Sequence, residues 1–242
     1  MPSSPSPPTI IPPTDPSNPL PRILLGGLCQ RRVCLLPTWR GWILILLVVS
    51  LLLTVASRRL CAFLTVNKPV PGGVLVIEGW VPPYVARLAI EEFHRHSYAG
   101  VYVTGQPMTE GDAYFPEYDN MANLTAAKVV KMGLPSGSVH AVPAPAVGRD
   151  RTYTMAVALK QRLEADRVST AQLNVFSLGP HARRSRLLYE HAFGPHSRIG
   201  MVGVTASDFD PDRWWTTSYG FRMVVDEFIA YLYARFLFYP GG

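Results

Sequence analysis

The residues best suited to chemistry lie in the stretch Asn174-Val-Phe-Ser-Leu-Gly-Pro-His-Ala-Arg-Arg-Ser-Arg-Leu-Leu188. It reads as a buried strand, a Gly-Pro break, and a helix whose first turn carries His181, Arg183 and Arg184. A helix start offers unpaired backbone N–H groups and the positive end of a dipole, so it attracts anions. Guanidiniums and an imidazole at that point strengthen the case for an anion site. Arg184 and Arg151 would hold the anion. Glu78 and His181 would act as acid and base if a reaction occurs.

Further polar groups recur at the ends of apolar runs: Glu78-Gly79-Trp80, Thr104-Gly105-Gln106 and Arg149-Asp150-Arg151-Thr152. Gly79 and Gly105 would let backbone approach a ligand closely. Glu227 stands in an otherwise apolar helix, where a buried acid needs a partner. Each residue also has a plainer reading. Glu78 could cap the neighbouring helix, His181 could bond only to backbone, and Asp150 could pair with Arg151. Two of Arg183, Arg184 and Arg186 are expected in surface ion pairs, which contribute little; Arg184 is expected to face the cleft. Trp214-Trp215 reads as packing rather than ligand stacking.

Several chemistries lack their signatures. There is no HExxH, CxxC pair or Walker A sequence, and Thr104-Gly-Gln-Pro107 is not a dinucleotide fingerprint. His94 and His96, two apart on a helix, point in different directions. No metal site is expected, and no cofactor can be named. Ser177-Leu-Gly-Pro does not match a nucleophile elbow, so His181 has no evident nucleophile partner beyond a water.

The elements that must position these groups alternate regularly. Val74–Ile77, Gly100–Thr104, Val139–Val142, Leu173–Leu178 and Ile199–Val204 read as strands, several of them continuously apolar, as expected for strands covered on both faces. Helical patterns fall at Pro83–His96, Asp119–Met132, Thr152–Ala165, Ala182–Ala192 and Tyr219–Tyr239, with Asp150 or Thr152 as a possible cap for the third. The alternation predicts an α/β fold: a Rossmann-like, mostly parallel sheet with helices on both faces. In such sheets ligands bind beyond the carboxyl ends of the strands, which is where the polar groups above fall.

Charge is unevenly distributed. Up to Arg59 there are six basic residues and one acid; the remainder has 17 basic and 16 acidic residues. The net charge of +6 therefore belongs almost wholly to the N-terminal arm, which argues against a nucleic-acid-binding domain. Residues 1–40 read as a Pro-rich, disordered and then basic arm. Gly41–Ser57 is uncharged, and at ~1.5 Å per residue it is about 25 Å long, the short end of a spanning helix. Arg40 and Arg58-Arg59 flank it, and residues 41–59 are expected to form a transmembrane helix. A cleaved signal peptide is the rival, with Thr54-Val-Ala56 as its site, but an n-region of about 40 residues is too long for one. The arginine excess before the span places the N-terminus inside and the domain outside the cytoplasm. Residues 60–73 read as a linker and residues 74–242 as the folded domain. Cys29, Cys34 and Cys61 all lie in or beside the arm, so the domain has no disulfide framework.

The set Val-Ile-Glu-Gly-Trp80, Val-Thr-Gly-Gln-Pro107, Arg-Asp-Arg-Thr-Tyr153, Gly-Pro-His-Ala-Arg-Arg-Ser-Arg-Leu-Leu188 and Arg-Trp-Trp215 through Glu227-Phe-Ile-Ala-Tyr231 resembles the ElyC/SanA/YdcF family of bacterial proteins. The likeness runs from Val74 to the C-terminus, and the His-x-x-Arg at His181 and Arg184 is its most specific part. The resemblance implies a Rossmann-like fold behind one helix of the bacterial inner membrane. It also implies a place in envelope biogenesis, connected with peptidoglycan and its lipid carrier, and possible envelope-protein partners. Two positions depart from the family pattern: Gly105-Gln106 stands where Gly-Gly is common, and Asn120-Met121 falls near an expected acid, with Asp119 the nearest. The combined expectation is a membrane-anchored protein with a cleft for a small anionic, phosphorylated or nucleotide-like ligand. The alternative is a non-enzymatic sensor or scaffold.

Overall fold

A computed structural model describes residues 23–24, 29–30, 37–108 and 117–240. The expected disordered segment up to Pro21 and most of the loop between Met108 and Tyr118 lie outside the described residues. The chain divides into two units, residues 1–50 and 51–242. In the first, Ile23–Leu24 (β1) pairs antiparallel with Cys29–Gln30 (β2), and helix α1 (Trp39–Leu64) begins. This helix is long and apolar enough to cross a membrane, and none of its most apolar 18-residue window is buried.

The second unit contains the end of α1 and the sheet. Its elements are β3 (Asn67–Lys68), β4 (Val74–Glu78), α2 (Pro83–Arg95), β5 (Val101–Gly105), α3 (Met121–Lys131), β6 (Val139–Pro143), α4 (Arg151–Ala165), β7 (Gln172–Leu178), α5 (His181–Phe193), β8 (Arg198–Val204) and α6 (Ser218–Phe236). Strand order across the sheet is β3-β8-β7-β4-β5-β6. Five strands are parallel; β3 joins the β8 edge antiparallel. The chain builds β4, β5 and β6 outward in one direction, then returns to lay β7 and β8 on the other side of β4. The order reverses between β4 and β7, and a crevice opens at such a reversal in doubly wound sheets.

Side-chain alternation along the central strands divides the core in two. Leu75 and Ile77 of β4 pack with Val85 and Ala89 of α2, Val129 of α3, and Cys61 and Leu64 of α1. Val74 and Val76, one step out of phase, pack with Leu159 and Leu163 of α4 and with Ala182 and Tyr189 of α5. Period-2 geometry therefore gives the sheet helical cover on both faces. Pro83 opens α2, where its fixed φ fits and its missing N–H costs nothing. Asn120 caps α3, its side chain accepting from the Asn123 N–H at 2.9 Å. Helix α6 sends Val224 into the first core and Ala234 against Leu188 of α5.

The segment expected to be a linker, residues 60–73, is part of the fold. Helix α1 continues through it to Leu64, and Cys61, Leu64 and Val66 are buried. Apolar residues at 60, 61 and 64 continue the helical face of the preceding run, so the helix has no reason to stop at Arg59. Beyond them, the buried Asn174 side chain accepts from Val70 N–H at 2.8 Å and donates to the carbonyls of Val70, at 2.8 Å, and Gly72, at 3.2 Å. These three bonds fasten the connector to the sheet. Strand β3 escaped the sequence reading because two residues are too few to show alternation.

Candidate functional site at the strand-order reversal

Residues Glu78 and Thr104 are paired neighbours on β4 and β5. On the other side of β4, Ile77 pairs with Phe176, so Glu78 and Ser177 follow one step on. All three polar residues share the phase of Val74, Val76, Tyr102, Leu173 and Val175, and so face α4 and α5. They stand at the carboxyl ends of their strands, beneath the start of α5. A short turn delivers that helix: Gly179, at φ 46, takes the left-handed conformation glycine tolerates, and His181 begins the helix two residues later.

Glu78 is fully buried. The Ser177 hydroxyl donates to one carboxylate oxygen and the Ser185 hydroxyl to the other, at 2.7 Å. Neither serine is exposed. His181 lies above, its Nε2 at 3.7 Å from Glu78 Oε1. That is a charge contact but too long for a hydrogen bond, and Nε2 is buried without a hydrogen-bond partner. On the other side of the ring, Nδ1 lies 2.8 Å from Glu227 Oε1. Arg184 grips the same carboxylate with two nitrogens, Nε to Oε2 at 2.9 Å and Nη2 to Oε1 at 3.0 Å. Its Nη1 donates to the Thr152 hydroxyl at 3.4 Å. Trp80 packs edge-on against the imidazole, with ring centres 4.6 Å apart.

The electrostatics follow from this enclosure. Burial disfavours the imidazolium, but the carboxylates of Glu78 and Glu227 override it and raise the His181 pKa to about 9. Burial likewise pushes Glu227 up, while His181 and the bidentate Arg184 pull it down to about 2. For Glu78 burial is again the largest influence, and the positive imidazole with the two serine hydroxyls outweighs it, leaving the carboxyl below its ordinary range. Doubly protonated His181 donates Nδ1–H to Glu227. The Arg184 Nη2, only 2.8 Å from Nδ1, donates to the same oxygen. Two carboxylates and two cations thus form a cluster of zero net charge, with Glu78 and His181 buried and Arg184 and Glu227 half-buried. Near neutral pH His181 is therefore held as the imidazolium, a positive charge fixed between Glu78 and Glu227.

The structure brings together five of the residues expected at the site: Glu78, His181, Arg184, Glu227 and, through Arg184, Thr152. Thr104 sits one layer behind, 3.4 Å from the Tyr189 hydroxyl. Burial and then Glu78 raise the pKa of that phenol. Asp150 and Arg151 do not bond to the cluster. Asp150 faces Arg149, 3.7 Å away, rather than Arg151, and Arg151 is exposed. Neither Asp150 nor Thr152 caps α4 with its side chain; Asp150 takes a left-handed φ of 56 at that position.

Gly79 and Gly105 are needed for a different reason from the one expected. A Cβ on Gly79 would lie 2.6 Å from the Thr104 carbonyl oxygen, and one on Gly105 would lie 2.3 Å from the Ala122 nitrogen. The backbone they admit is that of the neighbouring strand and of α3. Arg186 makes the expected surface pair, with Glu190 at 2.9 Å. Arg183 does not: it donates to the Phe63 carbonyl and stacks 3.8 Å over the Phe63 ring.

Sequence reasoning missed Ser177 and Ser185. Both were visible in principle, Ser177 as the only hydroxyl on a strand face otherwise apolar near its end, and Ser185 at i+4 from His181 on one helix face. A concavity of about 270 Å³ opens next to Pro180, between the β7–α5 turn and the Thr205–Pro211 loop, with Thr65 and Asn67 on its wall. The cluster itself does not line it.

Fold and site together define a Rossmann-like α/β domain with a carboxylate–imidazolium–guanidinium cluster at the reversal of strand order. No protein-family model matches the chain, and no curated protein or solved structure does either.

Proposed function

We propose that this is a single-pass protein of the bacterial inner membrane, of ElyC/SanA/YdcF type, acting in envelope biogenesis on the outer side. In this reading α1 is the anchor. The strand-end crevice takes a small anionic ligand, phosphorylated or nucleotide-like, of the sort found in peptidoglycan and lipid-carrier metabolism. The observation that carries the proposal is the position of His181 and Arg184. They start a helix directly over the switch between β4 and β7, where open parallel sheets receive ligands. Arg184 and the start of the helix at His181 meet the anion, while Glu78 and Glu227 hold the two cations in place and keep the imidazole protonated. The test is complementation: in a strain lacking the chromosomal copy, His181→Ala and Arg184→Ala should each fail to restore the wild-type envelope. Full rescue by both variants would remove the site assignment.

One observation favours the second reading, a sensor or scaffold without turnover. Every hydroxyl near Glu78 is buried, and both serines spend their protons on its carboxylate. No nucleophile faces the solvent there among the described residues. Hydrolysis of a phosphorylated lipid or nucleotide by the purified protein, abolished in Glu78→Gln, would eliminate this second reading.

A further inference from the structure

The strand-end cluster leaves one group of cations unexplained. Arg58 and Arg59 follow the apolar run of α1 directly, and Arg213 comes from the short 3-10 segment Pro211–Thr216. The three line one concavity of about 470 Å³, with Ala62, Asp212 and Trp215 completing its wall. None of the three guanidiniums forms an ion pair or a side-chain hydrogen bond with a described residue. With Asp212 included, the wall carries a net charge of +2. Like charges are gathered here at an electrostatic cost that an anion would offset.

The fold holds this arrangement in place. Buried Trp214 donates its indole N–H to the Ser57 carbonyl at 2.9 Å, fixing the Arg213 segment against the end of the apolar helix. Its ring meets Trp215, with centres 5.7 Å apart, and Phe221, at 5.9 Å. Trp215 is 38% exposed and Phe221 50%. Unpaired guanidiniums therefore stand beside uncovered aromatic surface, immediately after the membrane-length run. A phosphate diester with acyl chains fits that combination better than a free anion. Its phosphate meets the arginines, its chains continue along apolar surface, and indole rings favour the interface between them.

We propose that Arg58, Arg59 and Arg213 form a seat for the headgroup phosphate of an anionic phospholipid. This inference rests on the reading of α1 as a membrane span. The site is distinct from the His181 cluster, and it binds a structural lipid rather than the ligand of that cluster. Arg213 is the informative residue, since Arg58 and Arg59 would attract an anionic surface from any helix end, whereas Arg213 arrives only through the fold.

The full-length chain in nanodiscs of mixed phosphatidylcholine and phosphatidylglycerol, examined by native mass spectrometry, tests this. The wild type should release from the disc with phosphatidylglycerol preferentially bound. Arg213→Gln should reduce that preference about fivefold, the effect of one basic residue at an anionic surface, and Arg58→Gln/Arg59→Gln/Arg213→Gln should abolish it. Arg222→Gln, an exposed arginine on α6 outside the concavity, should leave it unchanged. Equal retention of both lipids, or an Arg213→Gln variant indistinguishable from wild type, overturns the seat while leaving the anchor intact. A chain that never enters the disc overturns both. Displacement of the bound lipid by millimolar inorganic phosphate would identify a free-phosphate site and overturn the lipid assignment.

Discussion

Replacing Glu78 with Gln keeps its shape and removes its charge. Both carboxylate oxygens accept serine hydroxyls, and a hydroxyl can turn to accept from the new amide, so the packing survives. What changes is His181, held at about 9 against an ordinary 6.5. At about 1.4 kcal/mol per pH unit, that interval corresponds to about 3 kcal/mol of preference for the imidazolium. Burial opposes it; Glu78 is the first group that raises it and Glu227 the second. Losing a carboxylate at this range should lower the His181 pKa by about 1–2 pH units, leaving it held up by Glu227 alone. An NMR titration of the imidazole carbons reads this directly. The same group links stability to pH. A histidine whose folded pKa is raised stabilises fully below 6.5 and loses that contribution as pH rises through about 9. Glu227, lowered from 4.5 to about 2, contributes above 4.5 and loses its share as pH falls through about 2. The cluster's contribution to stability should therefore be flat between about pH 4.5 and 6.5 and fall by about 3 kcal/mol towards pH 9. The two partners report one interaction, so their contributions are not added. Titration of wild-type His181 near 6.5, or an unchanged value in Glu78→Gln, would refute the electrostatic account of the cluster.

Substitutions at three further positions probe the scaffold. Asn174→Ala removes three hydrogen bonds to the Val70–Gly72 connector and should cost about 3 kcal/mol in urea denaturation, at about 1 kcal/mol per bond. It should also speed hydrogen exchange at Val70. Gly105→Ala forces a Cβ against the Ala122 nitrogen, and an overpacked backbone contact of this kind should cost about 1–3 kcal/mol or more, read as a lower thermal midpoint. Asp150→Gly relieves a left-handed φ of 56 and sacrifices only a pair with an arginine that is largely exposed; it should raise stability by about 1 kcal/mol, whereas Asp150→Val should lower it.

Much of this molecule can be read from its letters because two periodicities do most of the positioning. The runs at Val74, Val101, Val139, Leu173 and Ile199 announce parallel strands, and the chemistry of such sheets lies at their carboxyl ends. That logic found Glu78, His181 and Arg184 together. It also found Glu227, since a carboxylate among Val224, Val225 and Phe228 demands a partner. The limits have equally physical causes. Asp150 and Arg151 lie beside Thr152 in sequence, but Asp150 faces Arg149 and Arg151 is exposed, and residue type alone does not separate them from Thr152. Gly79 and Gly105 suggested close approach to a ligand, whereas the backbone they admit is that of β5 and α3. The linker reading failed at Cys61 and Leu64 because the apolar helical face runs on past Arg58-Arg59, the pair that marked the end of the span in the sequence.

The bidentate grip of Arg184 on Glu227 joins α5 to α6. Neutrality at the rim is therefore a property of tertiary docking, with both cations on one helix and one of the two balancing carboxylates borrowed from another. Should the final helix fray from its berth, His181 and Arg184 would be left facing Glu78 alone. The rim would turn from neutral to cationic without any proton changing hands, so a mechanical event at the C-terminus would register as a change in electrical potential at the strand ends.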